Sequence, residues 1–257
     1  MRLDRLNMME QYILGKEVVS LQELAAQFSI STNTVRRDLN ALLERGRIKK
    51  VYGGVSVCQD TEVPPIAVRD VRNHSEKKQI GELASTLVLN KSTIFLDSGS
   101  TTPHMLSHLA DKEGVTVVSH SLSVLYEASK YPSLNIIALG GMYNRNTSSY
   151  TGLSTVEQFS MLTVSTIFLA ASGVSLVYGL SNSTYSEAEL KRNVSQRSLS
   201  VVLLADHTKF DHDAVMTFYR FEDLSGLVTD RLPSAPYLEV IKKNKIKLLC
   251  PETMGNE

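Results

Sequence analysis

The segment Leu96-Asp97-Ser98-Gly99-Ser100-Thr101-Thr102-Pro103 concentrates groups that could hold an anion. An apolar run ends there, a glycine permits a tight turn, hydroxyl side chains come next, and Pro103 suits the first position of a helix. Free backbone N–H groups and hydroxyls at a helix start are suited to a phosphate. Neither GxxxxGK[ST] nor GxGxxG occurs, so the chemistry is that of a phosphate or phosphosugar rather than a nucleotide cradle. The competing reading is a Ser/Thr-rich turn in which Asp97 caps its own loop. A second cluster, Asp206-His207-Thr208-Lys209, also comes after an apolar run. Lys209 is placed there either to pair with Asp97 or to meet an anionic ligand, unless it is an ordinary surface lysine. Glu187 and Lys191 stand four apart, a spacing that usually means only helix support.

A different chemistry is written near the start, in Ser31-Thr32-Asn33-Thr34-Val35-Arg36-Arg37-Asp38-Leu39. Val35, Leu39, Leu42 and Leu43 form one apolar helical stripe. Asn33, Arg36, Arg37 and Asn40 lie largely off it. Ser31 is a good N-cap, and the positive end of a helix favours phosphate. Before it, Ser20 and Glu23 form a capping box for a short helix over LQELAAQF, and Leu6, Met9, Ile13 and Leu14 mark an earlier helix closed by Gly15. The third helix runs from Thr32 to about Arg45 and stops at Gly46. After it, Arg47, Lys49 and Lys50 decorate a hairpin turned at Gly53-Gly54. Two helices joined by a short turn, an open polar face bearing arginines, and a basic hairpin describe a winged helix-turn-helix, with Arg able to read guanine and Asn adenine in the major groove. A protein-interaction module with a solvated arginine pair is the alternative.

The whole chain is electrically neutral, but residues 1–57 carry nine Lys/Arg and six Asp/Glu, a surplus of +3. The basic surplus therefore sits at the end that would face a polyanion. With 257 residues, 42% apolar and 21% charged, the chain is long enough for one large or two modest domains with an ordinary core. No apolar run is long enough to span a bilayer, and the N-terminus has no secretory h-region. The two cysteines, Cys58 and Cys250, lack a CxxC or histidine companion. Neither a disulfide framework nor a structural zinc is expected, and a reducing cytoplasm fits.

Residues 58–74 contain Pro64-Pro65 and no clean period, which marks a linker between residues 1–57 and a larger domain over 75–257. There, strand-like apolar runs at 93–99, 115–121, 135–141, 166–173, 200–207, 224–230 and 246–250 alternate with helical patterns near 76–89, 102–110, 121–130, 153–162 and 186–198. Continuous apolar strands between helices imply a parallel sheet buried on both faces. Polar clusters at the strand ends then face one crevice, where open α/β sheets bind ligands.

The STNTVRRDLNALLERGRI run with Tyr52-Gly53-Gly54-Val55 resembles the N-terminal signature of the DeoR family of bacterial repressors. The resemblance covers nearly the whole chain through Glu76-Lys77, FLDSGSTT, ALGG, Thr151-Gly152, FLAASGV, YGLS, LLADHTKF and VTD. It implies an α/β effector domain similar to ribose-5-phosphate isomerase, and a transcriptional repressor that senses a phosphorylated sugar. Ser31, Thr34, Arg36, Arg37, Asp38 and Leu39 match its pattern, and with Thr32 and Asn33 at the helix start and Arg47, Lys49 and Lys50 on the hairpin they make the expected operator-DNA surface, while Asp38, which phosphate would repel, is placed to brace an arginine. For the effector the resemblance points to Asp97, Ser98, Gly99, Ser100, Thr101, Thr102, Gly141, Ser172, Gly173, Glu187, Lys191 and Lys209. Two departures stand out. Ser119-His120 replaces the usual Thr-Asn, which makes His120 an effector candidate or a strand cap, and Gly81 replaces the usual Ala. A sugar-phosphate isomerase is the alternative function, though an enzyme gains nothing from a DNA-reading module. Double-stranded operator DNA, a phosphorylated sugar and further copies of the chain in even number are the expected partners, without metal, cofactor or membrane.

Overall fold

The computed structural model describes residues 2–16, 18–44, 48–51, 53–57, 64–198 and 200–254. Arg45, Gly46, Arg47, Tyr52, Cys58 and the rest of the linker to residue 63 lie outside the described residues, as do the side chains of Leu14 and Lys49. The chain divides into two units, Met1–Asp60 and Thr61–Glu257.

The first unit comprises α1 (Arg2–Lys16), β1 (Val18–Ser20), α2 (Leu21–Gln27), α3 (Thr32–Glu44), β2 (Ile48–Val51) and β3 (Gly54–Val57). Gly15 does not close α1, which continues to Lys16. Ser20 caps α2 by accepting from the Glu23 amide at 3.1 Å. The Glu23 carboxylate does not complete the box; it takes the Tyr12 hydroxyl at 3.0 Å and the Lys16 ammonium at 2.7 Å, tying α2 to α1. Val35, Leu39 and Leu42 on α3 join Leu6, Met9, Ile13, Leu24, Ile48 and Val55 in one buried core. Each such side chain contributes about 1.5–3 kcal/mol by leaving water. The expected hairpin gains a third strand, because β1 pairs antiparallel with β3. A Cβ on Gly54 would meet the Val19 carbonyl oxygen at 2.2 Å, so glycine is what admits that strand.

The second unit opens with α4 (Ile66–Val71) and α5 (His74–Ser85). The segment read as a linker therefore contains a helix: Pro64-Pro65 does not block it, because Pro65 stands at its N-cap, where no N–H is required. The Ile66 amide is also bonded to the Asn146 carbonyl at 2.9 Å, within this unit.

The chain then runs through β4 (Thr93–Leu96), a 3-10 segment (Thr102–His108), β5 (Thr116–Ser119), α6 (Leu122–Ala128), β6 (Asn135–Ala138), β7 (Met142–Asn144), β8 (Ser149–Thr151), α7 (Leu153–Ser160) and β9 (Thr166–Leu169). It continues through β10 (Gly173–Ser175), β11 (Gly179–Asn182), α8 (Tyr185–Ser195), β12 (Val201–Leu204), a 3-10 turn (His207–Lys209), β13 (Met216–Tyr219), β14 (Gly226–Val228), α9 (Ala235–Lys243), β15 (Lys247–Leu249) and α10 (Pro251–Met254). The seven strands expected from the sequence form one parallel sheet in the order β15-β14-β12-β9-β4-β5-β6. Strand period sends Phe95, Ile167, Leu169, Val201 and Leu203 to one core and Ile94, Leu96, Phe168, Val202 and Leu204 to the other. Both faces are thus covered. A smaller antiparallel sheet, β10-β11-β13, was not apparent in the sequence.

Candidate functional site

The parallel sheet carries the 97–102 loop and the segments after β5, β9 and β12 out of its carboxyl edge. Asp97, the first residue after β4, is fully buried. Its Oδ2 meets the Lys191 ammonium at 2.7 Å and accepts the Ala170 amide at 2.9 Å. Its Oδ1 faces His120 Nε2 at 3.3 Å. Burial opposes the Asp97 charge, yet Lys191 and His120 hold its carboxyl well below the usual carboxylate range. His120 Nδ1 lies 2.8 Å from the Tyr150 carbonyl, so both ring nitrogens face acceptors. The ring also stacks on Phe95 at 5.8 Å. Lys191 donates further to the Ala170 carbonyl at 2.7 Å and to Asn182 Oδ1 at 3.1 Å.

Thus Lys191, not Lys209, is the cation paired with Asp97. Glu187 and Lys191 do more than support their helix. Glu187 accepts from Thr184 at 2.9 Å and from the Ser98 hydroxyl at 3.4 Å, so α8 reaches the loop through both residues.

The loop itself is shaped by close packing. A Cβ on Gly99 would strike Ala170 Cβ at 2.2 Å. Thr102 donates its hydroxyl to the carbonyls of Asp97 and Gly99, at 2.6 and 3.1 Å, and turns the loop inward. The loop leads into a seven-residue 3-10 segment, not the α-helix expected, with Pro103 in its first turn. Ser98, Ser100 and Thr101 are buried beside it.

The remaining candidates scatter. Gly141 lies just beyond the edge strand β6, where a Cβ would meet Thr155 Oγ1 at 2.3 Å. Ser172 bonds through its amide to Ser181, and Gly173 lies against the His212 backbone, so both brace the small antiparallel sheet. Lys209 sits in the 3-10 turn after β12 and helps keep the buried Asp206 ionised against desolvation.

Two cations escaped the sequence reading. Arg69, on α4, has a buried Nη2 with no hydrogen-bond partner among the described residues. Burial pulls its guanidinium down, against the attraction of Glu187 and Asp97. Lys77, on α5, is buried and donates to the carbonyls of Arg69 and Arg72 at the end of α4. For Arg69 the signal was the cation-bearing run VRDVRNH, which the proline pair made look like linker; Lys77 was read only as part of the helix opening at Glu76-Lys77. Burial, the largest influence, pushes the Lys77 ammonium down to about 8 from 10.5. A lysine depressed on folding binds fewer protons folded than unfolded between those two values. Its contribution to stability therefore rises as pH climbs from about 8 to 10.5, by at most about 1.4 kcal/mol per unit. Lys77→Met should lose that increment in denaturant unfolding at pH 7.5, 8.5 and 9.5. Parallel pH profiles for the two proteins would show the ammonium titrating normally.

In the first unit, Ser31 Oγ accepts the Thr34 amide at 3.2 Å and pairs with its hydroxyl at 2.9 Å. Thr32, Asn33, Arg36, Arg37 and Asn40 are exposed along α3, and Lys50 is exposed on β2. Asp38 does brace an arginine: Arg5 of α1 donates Nε to it at 2.8 Å. Residues 28–31 join α2 to α3, with Ser29 in the left-handed region at φ 51°. This is the helix-turn-helix arrangement, its second helix open to a groove.

Residues 5–61 match the family described as DeoR-like helix-turn-helix domain, and residues 72–231 match DeoR C terminal sensor domain. The chain is 36% identical to the HTH-type transcriptional regulator IolR of Bacillus subtilis, over 96% of this chain and 98% of that protein. It is 30% identical to the transcriptional repressor AccR of Agrobacterium fabrum, over 88% and 89%. It is 29% identical to the glycerol-3-phosphate regulon repressor of Escherichia coli, over 90% and 92%. Ribose 5 phosphate isomerase A from Neisseria gonorrhoeae is similar over 52% of each chain at 17% identity, with a TM-score of 0.39, which carries nothing about function. The relatives are named as regulators and repressors, which supports the regulator reading over the isomerase alternative. With a helix-turn-helix module ahead of a sensor domain, both matched along the chain, this protein belongs to the DeoR family of DNA-binding transcriptional regulators.

Proposed function

We propose that this regulator represses an operon of sugar or nucleoside catabolism and that a phosphorylated sugar alters its grip on operator DNA. The observation that carries the ligand class is the Arg69 guanidinium. Its buried Nη2 lacks a partner among the described residues and lies within electrostatic reach of the carboxylates that anchor the 98–101 loop. A buried donor left unpaired costs about 1–3 kcal/mol, which an incoming phosphate would relieve.

In this reading Ser98, Gly99, Ser100 and Thr101 offer amides and hydroxyls to the phosphate, and Glu187 accepts from sugar hydroxyls. Asp97, Thr102, His120 and Lys191 hold the loop in place, and Lys77 and Lys209 supply positive field. The named glycerol-3-phosphate regulon repressor among the relatives favours the same ligand class. Ser31 to Arg37 read the operator, and the basic hairpin, with Arg47, Lys49 and Lys50, tracks its phosphates. The protein acts in the cytoplasm as an even-numbered homo-oligomer, since paired recognition helices match a two-fold operator. Among the described residues no helix is long and apolar enough to cross a membrane. Ile136 and Ile137, exposed on the edge strand β6, are apolar surface that such assembly would cover.

The test is a titration of the full chain against the promoter region of its own gene cluster, repeated with a panel of phosphosugars. One phosphosugar should weaken operator binding, and by reciprocity operator DNA should weaken binding of that phosphosugar. Arg69→Ala should lower its affinity about 10- to 100-fold, the worth of a charge-assisted hydrogen bond, and Lys209→Ala should blunt the response. Operator affinity without effector should hold in both variants. Operator binding that no phosphosugar changes would discard the ligand class.

A further inference from the structure

The junction of α4 with α5 lies against the 3-10 segment that comes after the 98–101 loop, and three side chains converge there. Asp70 lies in the last turn of α4, His74 opens α5, and His104 belongs to the 3-10 segment. One carboxylate oxygen and two imidazole nitrogens lie within 4.8 Å of one another. His104 Nε2 stands 3.7 Å from Asp70 Oδ1, too far for a hydrogen bond. The two imidazoles meet edge to face, with centroids 5.0 Å apart. His104 Nε2 is buried and has no hydrogen-bond partner among the described residues. A buried ring nitrogen in that state is an exception that calls for a physical reason.

We propose that Asp70, His74 and His104 form a binding site for a divalent first-row transition ion of the zinc class. Two imidazoles and one carboxylate without a thiolate suit Zn2+, Co2+ or Ni2+, and the nitrogen donors disfavour Ca2+ and Mg2+. Ligand atoms about 2.0–2.1 Å from a tetrahedral centre sit roughly 3.3 Å apart. The exposed side chains of Asp70 and His74 can close that gap by rotation, while the more buried His104 stays fixed. Entry is open, because the three residues line a broad cleft of about 1260 Å³ that also reaches Ser100. Three protein ligands leave a further position for water or an exchangeable group.

Gly81 makes this geometry available. A Cβ there would lie 2.5 Å from the His104 carbonyl carbon and 2.6 Å from its oxygen, so any larger residue must push the 3-10 segment away. The ion would tie together the helix that carries Arg69, the helix that carries Lys77 and the segment next to the loop. The site does not depend on which effector binds.

The experiment uses the full chain, stripped of metal, titrated with Co2+ and then displaced with Zn2+. One equivalent of Co2+ should produce visible d–d absorption that Zn2+ abolishes. His74→Gln and Asp70→Asn should each weaken binding by more than about 100-fold, beyond the loss typical of outer-shell changes. Gly81→Ala should weaken it as well, and His108→Gln, a neighbour on the same cleft, should not. His74 is exposed, so circular dichroism should show its variant folded. Absence of stoichiometric Co2+ binding in the unaltered protein would overturn the site. So would equal affinity in His74→Gln and Asp70→Asn, since the ion would then be elsewhere.

Discussion

Replacing Lys191 with methionine is expected to destabilise the sensor unit by about 3–5 kcal/mol at neutral pH, the typical cost of leaving one member of a buried ion pair uncompensated. Lys191 is 3% exposed and Asp97 0%, so water cannot replace the lost ammonium. Among the described residues the carboxylate would retain His120 and the Ala170 amide as its hydrogen-bond partners.

The pH dependence gives the sign. In the native protein Asp97 titrates below its ordinary value, so its contribution to stability is complete above the unfolded carboxylate pKa and is lost as pH falls through the folded one. Without Lys191, desolvation dominates and raises the carboxyl instead. Protonation then relieves the variant as pH falls, and the gap between the two proteins should narrow from pH 7 to pH 5. Urea unfolding at the two pH values measures this. The double variant Asp97→Leu/Lys191→Met should recover a large part of the loss, because it removes both charges together. A Lys191→Met protein within about 1 kcal/mol of the unaltered one would show that the pair does not form in solution.

Arg36→Ala should lower operator affinity by about 2–6 kcal/mol, taking 1–3 kcal/mol for each base-reading arginine and two copies on a two-fold operator. Fold and phosphosugar binding should be untouched, since Arg36 is exposed and lies off the stripe that packs Val35, Leu39 and Leu42. The expected change in unfolding free energy is within about 0.5 kcal/mol. Lys50→Ala, on the hairpin strand, provides the contrast. It should weaken binding to all sequences alike and reduce the salt slope by about one. Titrations on operator and scrambled DNA at several salt concentrations separate the two. Operator affinity retained within about threefold in Arg36→Ala, far short of the loss due to a base-reading arginine, would remove it from the recognition surface.

The sequence alone determined what local pattern encodes. Short continuous apolar runs marked all seven parallel strands, because a strand buried on both faces must be apolar throughout. The 3.6-residue stripe through Val35, Leu39 and Leu42 decided which face of α3 turns inward and therefore that Arg36 and Arg37 turn out. Motif likeness supplied the family. Tertiary structure decided the partners. Asp97 takes Lys191 rather than Lys209, and Ser98 meets Glu187 from 89 residues away, because sheet order and the placement of α8 set those distances. No periodicity carries that information. Arg69 was hidden for the same reason. Two prolines suggested an open linker, yet one of them sits at a helix N-cap, where the missing N–H costs nothing and the cation behind it can turn inward. Charge and propensity are properties of a segment, whereas burial and pairing are properties of the folded whole, and the candidate effector crevice is made of the latter.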